Sequence, residues 1–244
     1  NISPDKVAEQ FNNLDNVIYA EPRFIQFETT VPNDPYYSNQ WHLPVIDASQ
    51  AWNTTTGDTN VIIAIVDDAV DLDHEDLANN IFTNWAEYHG TDGIDDDSNG
   101  YIDDVHGWDF AEYNNDPNPA IESQDHGTHV AGCASAVTDN GLGVAAPGWR
   151  CKILPLKISN DNNGSLSGDA AAAIIYAADM GAALTNNSYG GGGFSNYFLD
   201  AFLYAYELGT LSIASAGNSD ENESFYPASY KNVFSVASTA SGDY

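Results

Sequence analysis

Five apolar runs punctuate the chain: Val61 to Val66, Lys152 to Ile158, Ala182 to Asn187, Thr210 to Ala214 and Val233 to Ala237. The first is unbroken and rich in β-branched residues, as a central parallel strand covered on both faces would be. Between the runs, apolar residues recur at helical spacing. A polar loop ending at Asp125 gives way to Val130, Ala131, Gly132, Ala134, Ala136 and Val137, so a buried helix capped by Asp125 is predicted there. A second helix is predicted from Gly168 to Gly181, carrying Ala170 to Ala173, Ile174, Ile175 and Tyr176. Tyr197, Phe198, Ala201, Phe202, Ala205 and Leu208 form the stripe of a third, closed by Gly209. This alternation implies an α/β fold: a doubly wound, mostly parallel sheet with helices on both faces.

The chain's first stretch reads differently. Ser3-Pro4-Asp5 opens a helical pattern through Val7, Phe11 and Leu14, and Asn16 to Pro22 turns it into a strand. That piece is too small to fold alone. Pro32 and Pro35 interrupt regular structure, so the division falls between residues 1–30 and 31–244.

Composition narrows the partners. Asp and Glu outnumber Lys and Arg 36 to 6, a formal net charge of −30, which opposes binding to nucleic acid or to an anionic membrane surface. Cations are the natural ligands, although most of the carboxylates suit a solvated face in a salty or calcium-rich exterior. No apolar run has membrane-spanning length, so no membrane insertion is expected. Cys133 and Cys151 either pair or are both buried thiols.

Chemistry-bearing residues fall at strand ends and helix starts. Asp67 closes the first apolar run, where open α/β sheets place ligand chemistry; a plain turn aspartate is the competing reading. His126 follows Asp125 at a helix mouth, where it can act as a general base or merely as a capping or solvent-facing histidine. A zinc reading with His129 is weaker, since no glutamate follows as in His-Glu-x-x-His. Gly190 to Gly193 suits either an edge that an extended peptide joins or a flexible loop. Asn218, in a tight turn after a strand, is a candidate oxyanion donor or a plain Gly-Asn turn.

Between Asp92 and Asp104, Asp95, Asp97 and Asn99 followed by Gly100 match the first half of a calcium loop. The position an EF-hand gives to glutamate is His106, so this is not an EF-hand. The favoured calcium ligands are Asp95, Asp97, Asn99 and either Asp103 or Asp104, against a merely solvated acidic loop.

Together these motifs resemble the subtilisin-like serine proteases, or subtilases (peptidase family S8), from about residue 31 onward. Ile65 to Asp71 is similar to the catalytic aspartate segment, with Asp67 as the acid, Ala69 where glycine is usual, and an Asp67-Asp68 pair like that of the kexin branch. His126 to Gly132 matches the histidine motif, implying His126 as general base. Asn187 to Gly191 resembles the substrate-binding segment, and Ala214 to Asn218 the oxyanion segment. The resemblance thus implies substrate contacts from Ser188, Tyr189, Gly190, Ala216 and Gly217, with Asn218 as oxyanion donor. Tyr189 at the pocket wall suggests apolar or aromatic side chains, and Asp220 and Glu221 suggest basic ones.

The resemblance also implies a strong calcium site, with side-chain oxygens from Asp34, Asp76 and Asn140 and carbonyls from Val137, Leu142 and Val144. Residues 1–30 resemble the second half of the family's inhibitory propeptide, and a secreted zymogen acting on peptide or protein substrate is implied. One family segment is missing: no Gly-Thr-Ser-x-Ala follows Asn218, and Gly164 to Gly168 is centred on Leu166. The expectation is a serine endopeptidase given without its nucleophile, with a remaining C-terminal segment of the same protein as a partner. The alternative is a non-catalytic calcium-binding structural or assembly protein on the same fold.

Overall fold

Strand β1 (Ile62–Asp67) lies inside a six-stranded parallel sheet, with strands on both sides of it. The computed structural model describes residues 3–22, 30–220 and 223–242. The other strands are β2 (Trp108–Asp109), β3 (Lys152–Lys157), β4 (Leu184–Asn187), β5 (Leu211–Ser215) and β6 (Val233–Val236), in the order β2-β3-β1-β4-β5-β6. Val66 is paired with Leu156 on one side and Asn187 on the other, and every named pairing is parallel. Because β3 and β4 flank β1 on opposite sides, the strand order reverses at β1. A crevice at the carboxyl ends of β1 and β4 is the expected ligand position.

The helices are α1 (Pro4–Asn12), α2 (His42–Val45), α3 (Ala48–Trp52), α4 (Trp85–Tyr88), α5 (His126–Ser135), α6 (Ala170–Asp179) and α7 (Asn196–Glu207). Ile63 and Ile65 of β1 pack with Val70 and Ala131 on the α5 face, while Ala64 and Val66 pack with Ala173, Tyr176 and Ala177 on the α6 face. Double coverage is why β1 reads as an unbroken apolar run. The doubly wound fold is therefore as expected.

Boundaries differ from the sequence reading by a residue or two, each for a visible reason. Helix α6 starts at Ala170 because Asp169 caps it, accepting the Ala172 N–H at 3.0 Å. Strand β4 starts only at Leu184 because the Ala182 N–H still bonds the Ala177 carbonyl at the end of α6. In the leading segment α1 forms with Ser3 as its cap, but residues 13–22 form turns and bends rather than the expected strand. Asn12 ties that stretch back through bonds to both backbone groups of Ala20. Residues 23–29 lie outside the described residues.

Short elements missing from the sequence reading staple residues 34–52 to the main domain. Leu43, Ala48 and Trp52 form a cluster with Ala145 and Trp149, the two indoles 5.0 Å apart and edge-on. Gln40 adds two hydrogen bonds to the backbone of Ala145, both 2.8 Å. Neither cysteine expectation holds: both are free thiols, Cys133 exposed and Cys151 buried.

One charged group lies within this core. Lys157, at the end of β3, is only 1% exposed and lies 3.0 Å from fully buried Asp109, with a second, closer contact to Asp161. The Asp109 contact is a charge pair rather than an aligned hydrogen bond. Burial alone would lower the lysine's pKa, but Asp161 and Asp109 together hold it above its ordinary value. Lys157→Met strands a buried carboxylate and should cost about 3–5 kcal/mol in urea unfolding, with Lys157→Met/Asp109→Asn recovering part of it. A loss below about 1 kcal/mol in the single variant would contradict this role.

Candidate active site

The site is built on two consecutive carboxylates that leave β1 in different directions. Asp67 Oδ1 accepts the His126 Nδ1 hydrogen at 2.7 Å and the Asp68 N–H at 2.8 Å. Asp68 turns to the start of α5, where its carboxylate accepts the N–H groups of His126 (3.2 Å) and Gly127 (2.7 Å). Asp68 thus satisfies backbone donors that a helix start leaves open, and its charge complements the positive end of the helix. This corrects the expectation for Asp125, whose side chain makes no cap bond; only its carbonyl contributes, accepting from His129 N–H. The close approach needs Gly127, since a Cβ there would lie 2.3 Å from the Ala69 carbonyl oxygen.

Electrostatics follow from this geometry. The hydrogen bond to Asp67 raises the His126 pKa above its ordinary value, against a smaller opposing effect of burial. The Asp67 carboxyl is also pushed up, because its burial outweighs the bonds from His126 and Asp68 that stabilise the anion. Its second oxygen is buried without a hydrogen bond among the described residues. With Nδ1 committed to Asp67, Nε2 of the half-exposed His126 is the nitrogen left to exchange a proton. Asp67, Asp68 and His126 are close enough to share an ion, but each is already spent on the bonds just described. The weaker histidine-metal reading gains nothing: among the described residues the His129 ring has Cys133 Sγ, at 4.0 Å, as its hydrogen-bond partner.

Helix α5 is less buried than its composition predicted. Gly127, Ala131 and Ser135 are buried against the sheet, while His129 and Cys133 are exposed. The open face borders a cavity of about 780 Å³ that Trp41, Leu77, Thr128, His129, Gly132 and Cys133 help to line.

Beside β1, the carboxyl ends of β4 and β5 bring up the other candidates. Ser188, Tyr189, Gly190, Gly217 and Asn218 line one cavity of about 490 Å³. The exposed Asn218 stands at its rim, and Ala216 is fixed by its N–H bond to the Val236 carbonyl, 2.8 Å. Tyr189 donates to Asn187 Oδ1 at 3.1 Å, and burial raises its phenol pKa with a further push from the nearby Asp67 charge. Gly190 to Gly193 is a loop rather than a sheet edge, tied down by the Gly191 N–H to Tyr226 carbonyl bond. Asp220 is exposed, and Glu221 lies outside the described residues.

Both acidic clusters are present as cages of carboxylates and N–H donors. In the first, Asp34 and Asp76 are buried, and loop 137–144 wraps around them: Asp34 accepts from the Asp139 and Asn140 N–H groups, Asp76 from the Asn140 amide and Val144 N–H. Val137 N–H bonds the Asp76 carbonyl, and Leu142 N–H bonds Asn140 Oδ1. In the second, Asp97, Asn99 and Asp104 converge, and Glu87 joins them with its carboxylate within 4.8 Å of those of Asp97 and Asp104. Asp95 and Asp103 do not join: Asp95 accepts from Asn99 and Gly100 N–H, and Asp103 from Gly93 N–H. His106 instead bonds the Phe82 carbonyl. No lysine or arginine pairs with either cage among the described residues, and the carboxylates suit a hard cation such as calcium, while Asn140 and Asn99 present amide N–H groups to them.

Two participants were absent from the sequence reading. Glu87 could not be placed, because α4 is a four-residue helix with no periodic signal of its own. Asp68 carried a signal, its adjacency to Asp67, but a cap reaching a helix 58 residues away is a product of tertiary folding.

Residues 58–243 match the subtilase family, peptidase S8. The chain is 33% identical to a thermophilic serine proteinase of Bacillus sp. (strain AK1), over 95% of this chain and 52% of that protein. It is 37% identical to the halolysin-like extracellular serine protease Nep of Natrialba magadii (94% and 39%), and 37% identical to thermitase of Thermoactinomyces vulgaris (87% and 67%). It thus spans about half the length of the first two relatives, 52% and 39%. Among solved structures, a protease of Pseudoalteromonas arctica PAMC 21717 is similar with TM-score 0.68 and 26% identity (86% of this chain, 66% of that one). Fervidolysin of Fervidobacterium pennivorans, described as a keratinolytic enzyme related to subtilisin, matches at TM-score 0.58 and 32% identity (77% and 26%). The motifs, the sheet and these relatives agree, and the chain belongs to the subtilase family.

Proposed function

We propose that the protein containing this chain is a serine endopeptidase of the subtilisin type, and that these residues supply all of its catalytic centre except the nucleophile. The 2.7 Å bond between Asp67 and His126 carries this reading. In the reaction, a serine from another part of the protein attacks the scissile carbonyl, and His126 Nε2 takes the hydroxyl proton. Asp67 holds the tautomer and stabilises the imidazolium. Asn218 donates its side-chain N–H to the tetrahedral oxyanion, and the imidazolium then protonates the leaving amine. Substrate lies extended against Ser188, Tyr189 and Gly190, with Ala216 and Gly217 opposite. The open face of α5 is where a further segment bearing the serine has room to pack. Secretion fits a relative named as extracellular.

Calcium is the proposed ion at both cages. Asp34, Asp76, Asn140 and the 137–144 backbone would hold one ion, tying the N-terminal stretch to the domain. Glu87, Asp97, Asn99 and Asp104 would hold another. Residues 1–30 would belong to an inhibitory leader.

Three outcomes are expected. In the full-length protein, Asp67→Asn or His126→Ala lowers kcat/KM on peptides about 10^4-fold or more, and Asn218→Ala lowers kcat about 10^2–10^3-fold, the magnitudes seen in subtilisin itself. Undiminished hydrolysis would contradict the assignment. In an NMR titration the His126 imidazole titrates above the ordinary value of about 6.5, and Asp67→Asn brings it down. Because the base must be neutral, activity should rise as pH passes that raised value. With free calcium about 100 times Kd, chelation should lower Tm by about 5–10 °C, and an unchanged melt would count against both cages.

A further inference from the structure

The two glycine-bearing segments beside Asn218 do not face an empty slot. The ring of Phe225 lies between them. A Cβ on Gly190 would meet its Cε1 at 2.1 Å, and one on Gly217 would meet its Cγ, Cδ2 and Cε2 at 3.3 Å. One edge of the ring therefore rests on the segment leaving β4 and the other on the segment leaving β5. Glycine is needed at both positions for that packing, since any side chain at Gly190 would collide with the ring.

The backbone around Phe225 holds the ring there. Its N–H donates to Ser229 Oγ at 2.9 Å, and its carbonyl accepts the Ser229 N–H at 2.8 Å. The next carbonyl, that of Tyr226, accepts the Gly191 N–H at 2.9 Å, fastening this loop to the substrate segment itself. The Tyr226 ring packs 4.5 Å from that of Tyr230, which is buried. The ring also forms part of the wall of the cavity that Ser188, Gly190, Gly217 and Asn218 line.

We propose that Phe225 sets the size of side chain this enzyme accepts on the acyl side of the cleaved bond, restricting it to small residues such as alanine, serine or glycine. The inference rests on the reading of Ser188 to Gly190 and Asn218 as the substrate-binding and oxyanion groups. A substrate held along those residues projects that side chain toward the gap between the two glycine segments. Phe225 already places an aromatic ring in the gap, so a second ring or a long aliphatic chain has less depth to enter. Neither alternative suggested by the sequence, aromatic acceptance at Tyr189 or basic acceptance through Asp220, uses the residue that occupies the space. Pockets of this kind discriminate by about 10–200-fold per methylene-sized mismatch.

The test uses the full-length protein and paired peptides, Ala-Ala-Pro-Ala and Ala-Ala-Pro-Phe, as anilide substrates and as free acids. Wild type should cleave the Ala anilide with kcat/KM at least about tenfold above the Phe anilide, and Phe225→Gly should shift that ratio toward Phe by about tenfold or more. Phe225→Leu, which keeps most of the side-chain volume, should shift it less. Isothermal titration with the free acids requires neither turnover nor a variant: wild type should bind the Ala-ended peptide more tightly. Equal or better use of the Phe-ended peptides by wild type overturns the proposal while leaving the protease assignment intact, as does a ratio unmoved in a folded Phe225→Gly variant. Binding of neither peptide together with cleavage of neither overturns both.

Discussion

The structure depends on where β1 ends. Two neighbouring carboxylates leave the same strand, one to the His126 ring and the other to the backbone of the helix that begins with His126. Asp68 thereby fixes the position of α5 while Asp67 fixes the orientation of its first side chain. Gly127 lets helix and strand approach closely enough for both. Because β1 is hydrogen-bonded on both sides and apolar on both faces, its end is a rigid origin for this geometry. Precise placement of a base relative to its orienting acid needs that kind of support.

The same economy of charge runs through the rest of the chain. With a formal net charge of −30, most carboxylates repel one another, and there are only 6 lysines and arginines to offset them. One of these, Lys157, is committed to the core through Asp109 and Asp161. The two cages gather carboxylates, most of them buried, with amides rather than cationic side chains. In the proposed enzyme a hard cation completes them and links loops distant in sequence, Asp34 to loop 137–144 and Glu87 to Asp104. Folding and ion binding would then reinforce each other.

Much of this was legible from the residues alone. The apolar runs marked β1 and β3–β6, and helical spacing marked α5 to α7, because their periods are written locally, even in the largely exposed β6. Asp67, His126, Ser188 and Asn218 could be placed at one edge because each lies at a strand's end, just beyond one or at a helix start. What escaped detection depends on contacts between distant segments. Helices α2 to α4 and the two-residue β2 are held by packing such as that of Trp52 on Trp149, not by pattern. Asp125 had the right residue type for a cap, yet Asp68 took the role from another element. Asp95 and Asp103 had the spacing of a cation loop but turn to nearby N–H groups, and Glu87 takes a place beside Asp97 and Asp104. Phe225 reached the space between Gly190 and Gly217 through a loop whose path no local signal gave.

The central claim is that Asp67 and His126 orient and activate a nucleophile supplied by the rest of the protein. Labelling of the full-length protein with a serine-directed fluorophosphonate, read by intact mass and by mapping of the modified peptide, tests it directly. The account predicts a single adduct on a serine outside residues 1–244, formed rapidly in wild type and lost in His126→Ala. No adduct, or labelling that proceeds equally well without His126, would contradict it.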